Sequence, residues 1–256
     1  MAEINVIVLR AAGINCDGET MHAWRLAGAA PRLVQVNELL AKPALLDEAQ
    51  VLTLPGGFSY GDDIAAGTIL ANRLTRRLGE TLAAFVDRGG LVLGICNGFQ
   101  VLLKMGLLPG GSTGPQTVSL TVNTSARFED RWVRVRVDTD RCPFLQAGPL
   151  WEAPVAHAEG RLVVDSDATL AALTDHGHVA LRYVDADGLP GDYPVNPNGS
   201  VDGVAGLTDA TGRVLGLMPH PERNVDRTQH PLWTRRPADA PATGLQVFRS
   251  AVAALG

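Results

Sequence analysis

Ten residues constrain this chain more than any others: Leu91-Val92-Leu93-Gly94-Ile95-Cys96-Asn97-Gly98-Phe99-Gln100. The run Leu91 to Ile95 has no polar break and follows the turn pair Gly89-Gly90, so it predicts a short buried strand. Apolar Phe99, Leu102 and Leu103 predict a helix through Val101 to Met105, with Gly106 as its stop. Cys96 then stands at a strand-to-helix turn, where unpaired N–H groups and the helix dipole favour negative charge on sulfur. Gly94 and Gly98 allow a strained turn and a close approach by a substrate. This is the arrangement of a nucleophile elbow, with sulfur in place of oxygen.

The rest of the first half alternates strand and helix. Asn5 to Leu9, Leu33 to Val36 and Val51 to Leu54 read as strands, and a helix ends near Gly28. The third strand is stopped by Pro55-Gly56-Gly57, and an amphipathic helix over Leu74 to Arg88 returns to the cysteine strand. The pattern predicts an α/β fold, an open and mostly parallel sheet flanked by helices. Chemistry in such sheets lies at the carboxyl ends of the strands, so Cys16, Gly56-Gly57 and Cys96 should share one rim. The second half is richer in strands, with candidates at Val118–Val122, Trp132–Val137, Arg161–Val164, Val179–Val184 and Val214–Met218, and additional antiparallel strands are expected there. Short helices are expected over Ala168 to Leu173 and Gly244 to Leu255. Residues 1–256 read as one domain.

Composition excludes several classes. The net charge is -5 with no basic run, which argues against nucleic acid as a partner. No apolar stretch approaches membrane-spanning length, and nothing at the N-terminus resembles a signal peptide. Three scattered cysteines, Cys16, Cys96 and Cys142, do not make a disulfide framework, so a reducing, cytoplasmic setting is expected. The two lysines, Lys42 and Lys104, follow no glycine, so there is no phosphate-binding Gly-Lys-Ser/Thr loop. ATP, if the reaction needs it, belongs to another chain.

Two further segments complete a candidate site. His220-Pro221-Glu222 follows an apolar strand; with the backbone held extended by two prolines, His220 and Glu222 should face one side. Glu222 would fix the tautomer of His220, and His220 would move a proton at Cys96. Gly57 can aim a backbone N–H into a pocket and, with the N–H of Asn97, hold a developing oxyanion. Cys16 and Cys142 are expected to be inert, Cys16 because the charge of Asp17 opposes a thiolate. His176 and His178 lack the further ligands of a metal site, and no metal is expected. His157, in a loop with Glu159, is a candidate for reaching a polar ligand.

Gly94-Ile95-Cys96-Asn97-Gly98-Phe99-Gln100 with a distant His220-Pro221-Glu222 resembles the class I (triad) glutamine amidotransferases. Gly13-Ile14-Asn15-Cys16-Asp17, Pro55 to Asp62, Asn123 to Phe128, Asn196 to Ser200 and Met218 to Arg223 resemble one branch of that class. The branch comprises the glutaminase subunits of phosphoribosylformylglycinamidine synthase, in purine biosynthesis. The resemblance implies a flavodoxin-like domain that hydrolyses glutamine through a thioester on Cys96, with Gln100 and Phe128 at the glutamine pocket. It also implies a synthetase partner that carries ATP and Mg and receives the ammonia, and a small accessory subunit. No cofactor is implied in this chain. Two departures stand out: Ala158 where glycine is expected, and a long segment from Asn224 to Thr243. That segment carries Arg227, Arg235, Arg236 and Trp233, side chains suited to a partner contact, and deleting Thr228 to Asp239 is expected to spare the fold. Other cysteine-elbow hydrolases, such as a γ-glutamyl hydrolase or a peptidase, and a non-catalytic regulatory subunit are the alternatives.

Overall fold

Four apolar runs separated by helices build the first half of the molecule. The computed structural model describes residues 3–110, 116–148 and 150–256. In chain order the first half comprises β1 (Asn5–Arg10), α1 (Asp17–Leu26), β2 (Ala30–Gln35), α2 (Val36–Ala41), β3 (Val51–Leu54), α3 (Thr68–Asp87), β4 (Leu91–Ile95) and α4 (Asn97–Met105). The second half comprises β5 (Val118–Thr121), β6 (Glu129–Val137), β7 (Trp151–His157), β8 (Arg161–Val164), α5 (Asp167–Asp175), β9 (Val179–Val184), β10 (Val204–Thr208), β11 (Val214–Leu217) and α6 (Leu245–Leu255).

Nine strands form one sheet in the order β2-β1-β3-β4-β11-β10-β9-β6-β7, while β5 and β8 pair antiparallel to each other. From β2 to β11 every pairing is parallel, with Val6 opposite Val51, Thr53 opposite Leu93 and Gly94 opposite Gly216. From β11 to β7 every pairing is antiparallel. The central strands β3, β4 and β11 are buried at every residue, as continuous apolar runs covered on both faces must be. In β6, Val133 and Val135 are buried while Arg134 faces outward, the alternation expected of a strand with one solvated face.

The site follows from this order. Neighbouring parallel strands β1, β3, β4 and β11 each end at one piece of it: Cys16, Gly56-Gly57, Cys96 and His220. Helix α3 presents Leu70, Ala71, Leu74, Leu78, Leu82, Phe85 and Val86 to the core, a stripe at three- and four-residue spacing. The stripe begins before Leu74, which is why the helix starts at Thr68. Trp24 of α1 is fully buried; its indole N–H donates to Thr53 Oγ1 at 3.0 Å and its ring meets Phe248 of α6 edge-on at 5.0 Å. This joins α1, β3 and α6 beneath the rim.

Two strands lie outside the sequence expectation. β7 contains Pro154, which a ladder tolerates at a sheet edge, and β7 is the edge. β10 contains Gly206, where a Cβ would lie 2.8 Å from the carbonyl oxygen of Gly216, so glycine there marks close strand approach. No described helix is long and apolar enough to cross a membrane.

Candidate active site

Cys96 joins β4 to α4 with φ 51° and ψ -104°. A non-glycine residue in such a conformation costs on the order of 1–3 kcal/mol and persists only where its surroundings impose it. Here they do. The Cys96 N–H donates to Leu217 O on β11 at 2.8 Å, and the Gln100 N–H bonds back to Cys96 O at 3.1 Å. A side chain at Gly98 would overlap the carbonyl of Leu54, and one at Gly94 would lie 2.8 Å from the carbonyl of Gly98. The flanking glycines therefore let α4 start directly against β3 and β4.

His220 is placed by two strands: it follows β11, and its N–H donates to Pro154 O on β7 at 2.8 Å. Its Nδ1 meets Glu222 Oε1 at 2.6 Å, with both side chains buried. The expectation of an extended backbone is corrected here. Pro221–Arg223 forms one 3-10 turn, closed by Arg223 N–H to His220 O at 3.2 Å and Asn224 N–H to Pro221 O at 3.0 Å. The turn, rather than a period of two, brings the imidazole and the carboxylate together. Burial alone would push the pKa of His220 down, but the charges of Glu222 and Cys96 and the contact with Cys16 raise it well above the ordinary histidine value. His220 Nε2 is buried without a partner among the described residues. With Nδ1 committed to Glu222, Nε2 is the nitrogen left to move a proton.

These groups open on a cavity of about 260 Å³ lined by Cys96, Gly57, His220, Phe128, Cys16 and Arg223, with Asn15, Phe58, Asp130 and Ala156. Gly57, at φ 145°, forms an isolated bridge with Ile14. Beside the bridge, the Phe58 N–H donates to Gly13 O at 2.9 Å and the Cys16 N–H to Gly56 O at 3.2 Å, and neither bond uses the N–H of Gly57. Asn97 opens α4, where the first N–H groups have no preceding turn to bond. One cavity thus holds a strained thiol, an imidazole fixed by a carboxylate, and two backbone segments able to supply donors. That is a set suited to acyl transfer from an amide.

A model of the CobB/CobQ-like glutamine amidotransferase domain matches residues 3–253. The chain belongs to this family of glutamine amidotransferases. The amidotransferase is 44% identical over 254 residues to the phosphoribosylformylglycinamidine synthase subunit PurQ of Dehalococcoides mccartyi, covering 98% of each chain. It is 38% identical over 261 residues to the subunit of the same name from Methanococcus maripaludis, covering 96% of each. It superposes on a chain of the solved PurLQS structure from Thermotoga maritima with a TM-score of 0.76 and 32% identity, over the whole of both chains. A glutamine amidotransferase from Thermotoga maritima at 14% identity and a TM-score of 0.56 shares the fold.

The other expected site residues of the amidotransferase fall in different places. Phe128 lies at the cavity mouth, half-exposed, its ring 6.5 Å from that of Phe58. Gln100 is buried; its amide donates to Glu159 O at 2.6 Å and its Oε1 accepts from Asn97 Nδ2 at 2.9 Å. His157 is corrected from a ligand-reaching loop to the buried end of β7, with Nδ1 3.2 Å from Asn123 Oδ1 and its pKa pushed down to about 4, chiefly by burial. Ala158 is exposed, so its methyl group meets no steric bar. His178 Nδ1 bonds Thr208 O at 2.9 Å, and its ring lies 6.2 Å from that of His176.

Cys16 shares the rim with Cys96 as expected, but the reason for its inertness is corrected. It is buried at the site, with Sγ 4.0 Å from His220 Nδ1, 3.2 Å from Asn15 Oδ1 and 3.1 Å from Arg223 Nη2. Its thiol is pushed up, but by burial, against the opposing pull of His220; Asp17 instead pairs with Arg10 at 3.3 Å. Cys16, His220 and Glu222 bring ligand-type atoms within 4.8 Å of one another, yet the Arg223 guanidinium against the sulfur opposes a metal cation there. Arg223 also pairs with Glu19 at 3.2 Å, so it fastens the histidine turn to α1.

The segment from Asn224 to Thr243 folds back on the domain. Arg227 donates to the carbonyls of Trp233, Arg236 and Pro237 and stacks over the Trp233 ring at 5.4 Å. His230 and Arg236 both bond Glu152 Oε2, at 3.2 and 3.1 Å. Deleting Thr228 to Asp239 would strip two partners from Glu152 of β7, the strand that holds His220, so the expectation of an untouched fold is withdrawn.

Native alkylation with iodoacetamide is expected to label Cys96 first. Cys142 is buried and pushed up to about 12, and Cys16 is also held neutral. Mass spectrometry of partly labelled protein reads the order; equal labelling of all three thiols would contradict the assignment.

Proposed function

We propose that this chain is the glutaminase subunit of a phosphoribosylformylglycinamidine synthase, acting in the cytoplasm beside an ATP-dependent synthetase subunit and a small accessory subunit. The relatives named PurQ and the PurLQS structure support the complex. ATP and Mg belong to the synthetase. The observation that carries the chemistry is the His220–Glu222 pair, with Nε2 left free in the cavity that holds Cys96.

With the thiol proton of Cys96 on His220 Nε2, the thiolate sulfur attacks the side-chain amide carbon of glutamine. The oxygen becomes an oxyanion, which the N–H groups of Gly57 and Asn97 stabilise. As the C–N bond breaks, His220 Nε2 gives its proton to the nitrogen, and ammonia leaves a glutamyl thioester. Water then attacks the thioester carbon while Nε2 takes a proton from it; glutamate departs and the Cys96 sulfur is restored. Glu222 stays ionised throughout and stabilises the imidazolium each time it forms.

Trapping with labelled glutamine tests this reading. Acid quenching is expected to leave label on Cys96, weakly from the isolated chain and far more strongly once the synthetase and its ligands are added, because assembly can align the site. Absence of label in the complex, with cleavage of γ-glutamyl peptides or folates instead, would assign the elbow to a hydrolase of another kind.

A further inference from the structure

A left-handed turn lies between β3 and α3. Tyr60, Gly61 and Asp62 have φ values of 57°, 75° and 53°. L-residues visit this region singly, at about 1–2 kcal/mol each, so two of them on either side of Gly61 are unusual. The turn is held from behind: Phe58 and Tyr60 N–H groups donate to Gly13 O at 2.9 Å and Ala12 O at 2.7 Å, and Arg73 donates to the Tyr60 hydroxyl.

The turn aims Asp62 at the first residue of α4. Asp62 Oδ1 accepts from the Gly67 N–H at 3.1 Å and from Asn97 Nδ2 at 3.2 Å. The Asn97 side chain is 1% exposed and fully used: Oδ1 accepts from the Ser59 N–H at 3.1 Å, and Nδ2 also donates to Gln100 Oε1. Asn97 is the residue whose peptide N–H faces the developing oxyanion. The Cys96–Asn97 peptide that carries this N–H is held at its carbonyl by the Gln100 N–H at 3.1 Å, and the Asn97 side-chain bonds hold its other end.

We propose that Asp62 is a positioning residue for the oxyanion-binding N–H of Asn97, acting through the Asn97 side-chain amide from a strained turn. The inference rests on the thioester chemistry proposed at Cys96. Asp62 touches no reacting atom; it fixes the orientation of a donor that is needed most in the transition state. The strain of residues 60–62 then serves catalysis, as strained backbone at functional sites commonly does.

The test compares Asp62→Gly and Asp62→Asn in the complete complex with the synthetase. Both residues adopt positive φ readily, so neither adds backbone strain. Only asparagine keeps an oxygen where Asp62 Oδ1 stands. Removing an oxyanion donor outright costs roughly 10²–10³-fold in kcat, and a loosened donor costs less. Asp62→Gly is therefore expected to lower the kcat for glutamine by roughly 10–100-fold with KM within about twofold, and Asp62→Asn to stay within about threefold of the parent. Glutamate γ-semialdehyde supplies a readout that a merely structural role would not move. Cys96 sulfur adds to its aldehyde carbon, and the former carbonyl oxygen, as an alkoxide, occupies the oxyanion site. Its affinity should fall in Asp62→Gly by the same factor as kcat. A second comparison guards against misfolding: Asn97→Ala with Asp62→Gly should be no slower than Asn97→Ala alone, because both act through one side chain. Unchanged kcat in Asp62→Gly, lost kcat with undiminished semialdehyde affinity, equal damage in Asp62→Asn, or additive losses in the double variant would each overturn the proposal. If the unaltered complex released no glutamate from glutamine, the proposed function would fall, and this inference with it.

Discussion

Replacing Cys96 with alanine is expected to lower glutamine-dependent turnover by roughly 10⁴-fold or more, as loss of an enzymatic nucleophile does. Synthesis supplied with free ammonium should survive, because the amination site belongs to the synthetase. The comparison that matters is Cys16→Ala. Both thiols line one cavity and both approach His220, but not equivalently. Cys16 Sγ stands 4.0 Å from Nδ1, the nitrogen that Glu222 Oε1 already occupies at 2.6 Å. A thiol there cannot pass its proton through the free Nε2. Cys96 alone has the strand-to-helix elbow, with its φ of 51° and the open N–H groups of α4 beside it. Cys16→Ala is therefore expected to slow turnover less than about tenfold, through loosened packing around His220 and Arg223. Glutamate release and ammonium-dependent synthesis, measured in parallel, decide the matter. An active Cys96→Ala with an inactive Cys16→Ala would reverse the assignment.

Glu222→Gln carries the second large effect. The imidazolium of His220 is buried and depends on this carboxylate, so glutamine of the same shape leaves a charge without its partner. Turnover is expected to fall by roughly 10³–10⁴-fold, as when the carboxylate of other triads is removed. Breaking a buried pair by removing one partner costs about 3–5 kcal/mol. The pH dependence gives a sharper signature. In the parent protein the folded His220 value is raised well above its unfolded one. Its contribution to stability is therefore fully present below the unfolded value and is lost as pH rises through the folded value. Without the carboxylate, burial dominates, the folded value drops, and the variant loses stability as pH falls instead. The gap in Tm between parent and variant should be widest at acid pH and narrow towards alkaline pH. Thermal unfolding of both proteins between about pH 5 and 9 reads this directly. A gap that is constant or widens with pH would show that Glu222 does not hold the imidazolium.

The resemblance drawn from two separated motifs is borne out by relatives that span nearly the whole chain. Sequence could carry that much because the decisive features are local. The elbow needs a buried run, a small residue on each side of the cysteine and an amphipathic helix, and each is visible in ten residues. Continuous apolar runs announced β3, β4 and β11 for the same reason: a strand covered on both faces has no polar side to show. Strand order then placed their carboxyl ends on one rim.

What the sequence did not determine depends on neighbours far along the chain. Pro154 and Gly206 look like strand breakers until β7 is seen at the sheet edge and β10 pressed against β11. Arg227 and Arg236 look like free interface anchors until the carbonyls of their own loop and Glu152 are seen to bind them. Cys16 reads as inert from the charge beside it; it is held neutral by burial instead, against His220 and Arg223, which only the parallel sheet brings to it. Asp62, in the turn before α3, reaches Asn97 at the start of α4. Backbone propensity and apolar periodicity act over a few residues, so they specify elements. Packing and hydrogen bonding among distant residues decide which side chains face one another, and that is where this site acquires its chemistry.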